Sequence, residues 1–339
     1  MPKDPKIKPI NGANSADDPN IDLTLRPVIW DEYIGQEKIK DNLKILLGAA
    51  KKRGEAADHL LFSGPAGLGK TTLAYLVARE LGGVIKTTSG PALEKVGDLA
   101  AVLTNLTPGE ILFIDEAHRV NPMIEEVLYP AMESRKLHLV VGKGPSARTL
   151  TLDLPPFTLI AATTRENLLS QPLRSRFGAT LRLGYYTVDD IKKILTRSAK
   201  ILGVQTSPAA VEILARAARG TPRVANRLLR RARDFAEVHH NSVIDEASAK
   251  RTLEMLEVDE VGLEPQDRQL LLTIIEKFNG GPVGINTLAA ALSEDRGVIE
   301  DIYEPYLMTL GFLQRSSSGR VVLPAAYKHL NIKQGDELF

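Results

Sequence analysis

The 339-residue sequence has no cysteine, which excludes disulfides and thiolate metal sites and is compatible with a reducing compartment. Aromatic residues are few, 5%, beside 25% charged residues, an ordinary balance for a globular chain. No apolar run approaches the roughly 20 residues that span a bilayer. The stretch from Met1 to Asn20 lacks the apolar core of a signal peptide, so no membrane partner is expected and the expected address is the cytoplasm. Nor is there an excess of one charge. The formal net charge of +1 leaves nucleic acid open as a partner, because local patches decide that. Length alone predicts two or three domains.

What is present is organised around Gly64-Pro65-Ala66-Gly67-Leu68-Gly69-Lys70-Thr71, which satisfies the phosphate-cradling pattern G-x-x-x-x-G-K-[ST] at every fixed position. A short apolar strand from His59 to Ser63 precedes it and a helical stretch from Thr71 to Arg79 follows, as the pattern requires. Glycines there let backbone amides converge on phosphates at a helix N-terminus. Lys70 then reaches the β- and γ-phosphates, and the Thr71 hydroxyl is suited to Mg²⁺.

Residues 1–22 carry Pro, Asn, Asp and Lys without apolar pattern and read as a flexible arm. From Leu23 to Tyr186 strands alternate with helices, which predicts a parallel sheet covered on both faces. The expected strands are Leu60–Ser63, Val84–Thr88, Ile111–Asp115, Thr158–Thr163 and Ala179–Leu183. Between two of them, Leu137–Val141 and Thr149–Leu154 flank Gly142-Lys143-Gly144-Pro145 and predict an inserted hairpin, a packed lid or a contact arm. Residues 187–258 read as helices alone, and residues 259–330 as three short helices with a two-stranded wing, a winged-helix pattern. A tail, 331–339, follows.

Ile111 to Glu116 is an apolar strand ending in two carboxylates, 45 positions after Lys70. Paired with the phosphate loop, Asp115 is the candidate Mg²⁺ holder and Glu116 the candidate base for the attacking water. Ala161-Ala162-Thr163-Thr164-Arg165 ends the next strand with hydroxyls that can orient that water. An arginine in Leu173-Arg174-Ser175-Arg176 is placed to act as a finger on a neighbouring subunit's phosphates. Arg223 follows Pro222 at a helix start, while Arg216, Arg219, Arg227, Arg230, Arg231 and Arg233 read as a solvated or subunit-facing surface. Arg296, Arg315 and Arg320 mark a weak basic patch on the terminal unit, diluted by Glu294, Asp295, Glu300 and Asp301. His59, His118 and His138 lack metal-ligand spacing and read as structural.

From Leu25 to His329 the chain resembles the RuvB family of bacterial AAA+ ring motors that drive branch migration of Holliday junctions. The stretches that carry the resemblance are Asp31–Gln36, Gly64–Thr72, Thr88–Lys95, Ile114–Arg119, Tyr129–Glu133, Leu154–Thr158, Pro172–Gly178, Gly220–Arg231 and Gly280–Gly284. The fold this implies is an α/β AAA+ P-loop domain, then a small all-α lid domain, then a C-terminal winged-helix domain. The resemblance further implies that ATP is held by Leu25, Arg26, Gly67, Leu68, Gly69, Lys70, Thr71, Thr72, Tyr186 and Arg223, with Glu133, Ser134 and Arg135 near the nucleotide. Thr71 and Asp115 would hold Mg²⁺, Glu116 would activate water, Thr164 would sense the γ-phosphate and Arg176 would act in trans. Arg296, Arg315 and Arg320 would touch duplex DNA. Hairpin 137–154 would be gripped by a RuvA-type junction-binding partner, a RuvC-type resolvase would be a further partner, and the ring would be a homo-hexamer.

Two other readings are weighed against this one. A nucleotide-switched DNA-binding initiator also joins such a core to a winged helix, but the finger and Glu116 argue against it. A clamp-loader-like subunit would end in an oligomerising collar rather than a wing. Asp115-Glu116-Ala117-His118 also spells the box of another helicase superfamily, which would need a second ATPase-like domain after Tyr186.

Overall fold

The computed structural model describes residues 24–141, 148–239 and 243–333. The N-terminal arm, the turn Gly142–Pro145 and most of the tail lie outside them.

The first unit begins with α1 (Glu37–Arg53), β1 (Leu60–Ser63), α2 (Lys70–Leu81), β2 (Ile85–Ser89), α3 (Val96–Thr104), β3 (Ile111–Asp115) and α4 (Pro122–Glu133). The inserted hairpin is β4 (Lys136–Val141) with β5 (Arg148–Asp153), and β6 (Thr158–Thr163), α5 (Gln171–Arg174) and β7 (Ala179–Arg182) complete the unit. The five core strands form one parallel sheet in the order β2-β3-β6-β1-β7. Their apolar runs are buried throughout β1 and β6, as strands covered on both faces must be. Alternation sorts the side chains between two cores. Leu60, Phe62, Ile111, Phe113, Ile160 and Ala162 enter one; Leu61, Leu112, Ile114, Leu159 and Ala161 enter the other.

The second unit contains α6 (Val188–Ile201), α7 (Pro208–Ala217), α8 (Pro222–His239) and α9 (Glu246–Met255). Its apolar faces, including Ile191, Leu195, Leu214, Leu228 and Leu229, are continuous with the core on the Phe62 side of the sheet. The expectation of helices alone needs a correction. Two-residue strands β8 (Gln205–Thr206) and β9 (Val243–Ile244) pair in parallel, too short to leave a periodic signature in sequence.

The third unit has its own core, built on Leu270, Leu271, Ile274, Leu288, Ile299, Leu307 and Leu313. It comprises α10 (Pro265–Phe278), α11 (Ile285–Leu292), α12 (Arg296–Val298), α13 (Glu304–Thr309) and α14 (Pro324–His329), with a wing of β10 (Leu313–Ser316) and β11 (Gly319–Val322). A π-helical turn, Ile299–Tyr303, joins α12 to α13 into one continuous element.

Candidate nucleotide site

In a parallel sheet the ligand crevice lies beyond the carboxyl ends of the strands, where strand order reverses. Here the phosphate loop leaves β1, Asp115 ends β3 and Thr164 follows β6, and those three strands are neighbours in the sheet. The loop is feasible only with glycine at its bends. Gly64, Gly67 and Gly69 have φ of 139°, 78° and 96°. A Cβ on Gly64 would stand 2.4 Å from the Leu183 carbonyl oxygen, and one on Gly67 would meet the Thr221 methyl at 2.7 Å. Either substitution would push the loop off its seat.

Lys70 opens α2 and is buried, its Nζ donating to the Gly64 carbonyl at 2.6 Å and the Pro65 carbonyl at 2.8 Å. Burial pushes its pKa down to about 8; Asp115 pulls it back up and Arg223 pushes it down further. The Thr71 hydroxyl donates to Asp115 Oδ2 at 3.3 Å, so the two groups expected at a metal already meet. A hydroxyl and one carboxylate suit Mg²⁺, which keeps waters and takes its other ligands from phosphates. The donor set therefore fits the ion.

Glu116 has φ 48°, a left-handed conformation unusual for a residue with a side chain. That twist ends the pleat of β3 and lets both carboxylates line the same cleft. The Glu116 N–H donates to Asp115 Oδ1 at 2.9 Å, and its carboxylate pairs with Arg119 at 3.1 Å on a half-exposed surface.

The cleft lies between the first two units. Its walls include the expected Leu25, Arg26, Gly67, Gly69, Thr72, Thr164, Tyr186 and Arg223. Leu68 contributes its backbone instead, its carbonyl accepting the Tyr186 hydroxyl at 3.2 Å while its side chain is buried. Burial raises the Tyr186 pKa, keeping that hydroxyl a neutral donor. Several lining residues escaped the sequence reading: Glu32, Tyr33, Ile194, Arg197 and Asn226. Arg197 of α6 donates to the Leu25 carbonyl and to Glu32, each at 2.8 Å, and so ties the segment before α1 over the cleft. No motif marks a contact between residues so far apart in sequence. Gly35-Gln36 carried the nearest signal: the Gln36 amide donates to the Gly184 carbonyl at 2.6 Å, beside Tyr186.

Arg176 does not line this cleft. Its guanidinium lies 4.5 Å from the Tyr129 ring, 3.0 Å from Glu133 and 2.6 Å from the Pro172 carbonyl. Glu133, Ser134 and Arg135 are likewise absent from the cleft walls, and Glu133 belongs to the Arg176 cluster. His59 accepts the Leu159 N–H on Nδ1 at 2.8 Å and presents Nε2 to the Met132 carbonyl at 3.2 Å. Burial lowers its pKa, so the imidazole is a neutral bridge between strand and helix.

On the third unit, Arg296 and Arg315 are exposed at 59% and 45% of their side chains, whereas Arg320 retains only 11%. Arg320 and Arg315 both pair with Glu304, which is fully buried. The acidic neighbours do more than dilute the patch: Glu304 and Glu300 hold Arg320 in the base of the wing. Arg219 and Arg230 correct a second expectation. Neither is on a solvated surface: Arg230 is buried on the inner face of α8, 3% exposed, and Arg219 forms a buried pair with Asp267 of α10 at 2.8 Å and stacks 4.4 Å from the Tyr306 ring.

A parallel sheet with a phosphate loop, an Asp-Glu strand end, a threonine lining the cleft after the next strand and a cleft shared with a helical lid defines a P-loop ATPase of the AAA+ class, here carrying a winged helix. The chain belongs to the RuvB family. It matches the P-loop domain of the Holliday junction DNA helicase RuvB over residues 25–183, the RuvB AAA lid domain over 186–259 and the RuvB C-terminal winged helix domain over 260–331. Among solved structures, it is similar to the Thermotoga maritima RuvB Holliday junction branch migration motor. The two are 48% identical with a TM-score of 0.84, covering 91% of this chain and 99% of that one. A mutant of the same Thermotoga protein superposes at 0.85 with the same identity and coverage.

Proposed function

We propose that the chain is the ATP- and Mg²⁺-dependent subunit of a homo-hexameric ring that pulls duplex DNA and moves Holliday junctions in recombination and repair. A RuvA-type partner would grip hairpin 137–154, with a RuvC-type resolvase acting on the same junctions, in the cytoplasm. The large domain spans 23–186, the lid 187–258 and the winged-helix head 259–330. The observation that carries this reading is the meeting of Thr71 and Asp115 at 3.3 Å in a cleft that Lys70, Glu116, Thr164 and Arg223 also line.

Each residue there has a definable task. The loop amides and Lys70 hold the β- and γ-phosphates, and Arg26, Tyr33 and Tyr186 surround the rest of the nucleotide. Thr71 and Asp115 would hold Mg²⁺, which would supply charge neutralisation at the phosphates. Glu116 accepts a proton from the water whose oxygen bonds to the γ-phosphorus as the bond to the β-phosphate oxygen breaks. Thr164 positions that water. Arg176, held away from its own cleft, stabilises charge in the cleft of the adjoining subunit, which makes hydrolysis depend on the ring. Leu150 is an exposed apolar side chain on the hairpin, which supports that arm as a protein contact. Arg296 and Arg315 hold DNA phosphates, while Arg320 braces the wing.

The test is dissociation of a synthetic four-way junction by the purified chain with ATP and Mg²⁺, with and without a RuvA-type protein. The expected result is conversion to duplex products that requires the partner and is lost in Lys70→Ala. Binding of DNA and ATP without junction movement under any condition would overturn it in favour of a nucleotide-switched DNA-binding regulator.

A further inference from the structure

Arg165 directly follows the sensor Thr164, and its two ends belong to different units. Its backbone N–H donates to Thr163 Oγ1 at 3.0 Å, the same oxygen that meets His118 Nδ1 at 3.0 Å. Its guanidinium leaves the ATPase unit altogether. Nε donates to Asp301 Oδ1 at 2.6 Å, a second nitrogen pairs with the other oxygen of that carboxylate, and the same nitrogen reaches the Gly297 carbonyl at 3.5 Å.

Both acceptors sit on the element that begins with Arg296. Gly297 is the next residue, and Asp301 lies in the π-helical turn that continues α12. The approach is close: a Cβ on Gly297 would lie 3.4 Å from the Arg165 guanidinium and 3.1 Å from Asp295 Oδ1. Asp295 and Glu300 add negative field on this side. His118 faces the junction from the ATPase side, within electrostatic reach of Glu116, Arg119, Arg165 and Asp301.

We propose that Arg165 is a positioning residue that couples the γ-phosphate sensor to the DNA-holding helix of the head. The proposal rests on the functional reading above, in which Thr164 senses nucleotide and Arg296 holds DNA. Its physical basis is a contrast between two attachments of the head. Arg219–Asp267 joins head to lid through a pair with side chains only 12% and 0% exposed. Arg165–Asp301 joins head to large domain through side chains 28% and 36% exposed. Removing one partner of a buried pair strands a charge, whereas a half-exposed pair exchanges with water at small net cost. The head therefore stays with the lid, and the Arg165 contact is the one that opens. A two-pronged guanidinium–carboxylate contact is also directional, so a displacement of the Thr163–Arg165 turn by less than an ångström weakens both prongs together.

The experiment uses the full chain with a four-way junction and a RuvA-type partner. Asp301 touches neither nucleotide nor DNA in this reading. Asp301→Asn is expected to leave ATPase without DNA within twofold of wild type while cutting the DNA-stimulated increment at least fivefold. Arg165→Asp combined with Asp301→Arg is expected to recover at least half of the increment that Arg165→Asp alone loses. Because the chain has no cysteine, dyes can be placed at the exposed positions Val84 and Met308 through Val84→Cys and Met308→Cys. Energy transfer between them should change with a non-hydrolysable ATP analogue in the otherwise native chain, and should start from the changed value in Asp301→Asn. Full DNA stimulation in Asp301→Asn, or an exchanged pair no better than Arg165→Asp, overturns the coupling role. A chain without these substitutions that shows no DNA-stimulated ATPase would instead overturn the motor reading on which it rests.

Discussion

Glu116 combines a left-handed backbone with a carboxylate that lines the cleft beside Asp115. Conformations this rare persist where the surroundings over-determine them, and they gather at sites where a side chain must be aimed. Glu116→Gln keeps the shape and the N–H contact to Asp115 but cannot accept a proton. It should bind ATP with little change and lose turnover by about 100-fold or more; phosphate release measured beside nucleotide binding checks this, and undiminished turnover would remove Glu116 from the role. Lys70 makes a second prediction, with a sign. Its pKa in the free chain is about 8, and bound phosphates favour the ammonium. Above pH 8 nucleotide binding must therefore take up a proton, and affinity should fall by up to about tenfold per pH unit until the bound-state pKa is reached. Calorimetry in buffers of different ionisation enthalpy reads the uptake directly. Affinity flat between pH 8 and 9.5 would show that Lys70 is already fully charged. At this scale the sequence was informative wherever chemistry demands fixed spacing, from Gly64 to Thr71 and at Asp115-Glu116. It was silent on Arg197 and Asn226, whose role depends on how the lid folds back over the strap before α1.

At the scale of elements, the hairpin β4–β5 carries exposed side chains along most of β5. Its strands pair in register from Lys136 with Asp153 to Val141 with Arg148. The inner end is anchored by Leu137, which is fully buried, whereas Leu150 is 47% exposed. In the proposed function, Leu150 is the apolar side chain on the arm that a protein partner would cover. Leu150→Glu should leave basal ATPase within twofold and reduce stimulation by a RuvA-type protein at least tenfold, measured as ATP turnover against partner concentration. Unchanged stimulation would move the contact elsewhere on the arm. The hairpin was legible because two alternating runs flank a Gly-Lys-Gly-Pro turn. The five core strands were legible as short apolar runs between helices, β1, β3 and β6 to the residue and β2 and β7 to within one. The pair β8–β9 was not, since two residues cannot express a period. The π-helical turn was not either, because its register shift comes from how Ile299 to Tyr303 packs rather than from residue type.

The whole molecule is held together by contacts that no local pattern announces. Arg219 sits in a left-handed turn three residues before Pro222, which with Arg223 lines the cleft. Its side chain belongs to the head, paired with Asp267 and stacked on Tyr306, whose hydroxyl bonds the Val261 carbonyl in the linker. In sequence it was one arginine among seven at helical spacing. Only the fold shows that its partner is a fully buried carboxylate. Burial raises the pKa of Asp267, opposed first by Arg219, so removing that guanidinium leaves the carboxylate in an apolar site without its main counter-charge. Arg219→Ala should therefore destabilise the lid–head junction by about 3–5 kcal/mol, the usual cost of breaking one side of a buried pair. Thermal unfolding should show it as a lowered or split transition. Arg219→Met with Asp267→Asn should recover much of the loss, because the stranded charge is gone while most of the volume against Tyr306 and the acceptor for the Glu264 N–H are kept. Stability and transmission then separate: the double variant restores the melting transition but lacks the rigid pin between Arg223 and the head. It should hydrolyse ATP and bind junction DNA while moving fewer junctions per ATP consumed. Full recovery of junction movement along with stability would mean that the pair only holds the head in place and that the stroke travels by another route.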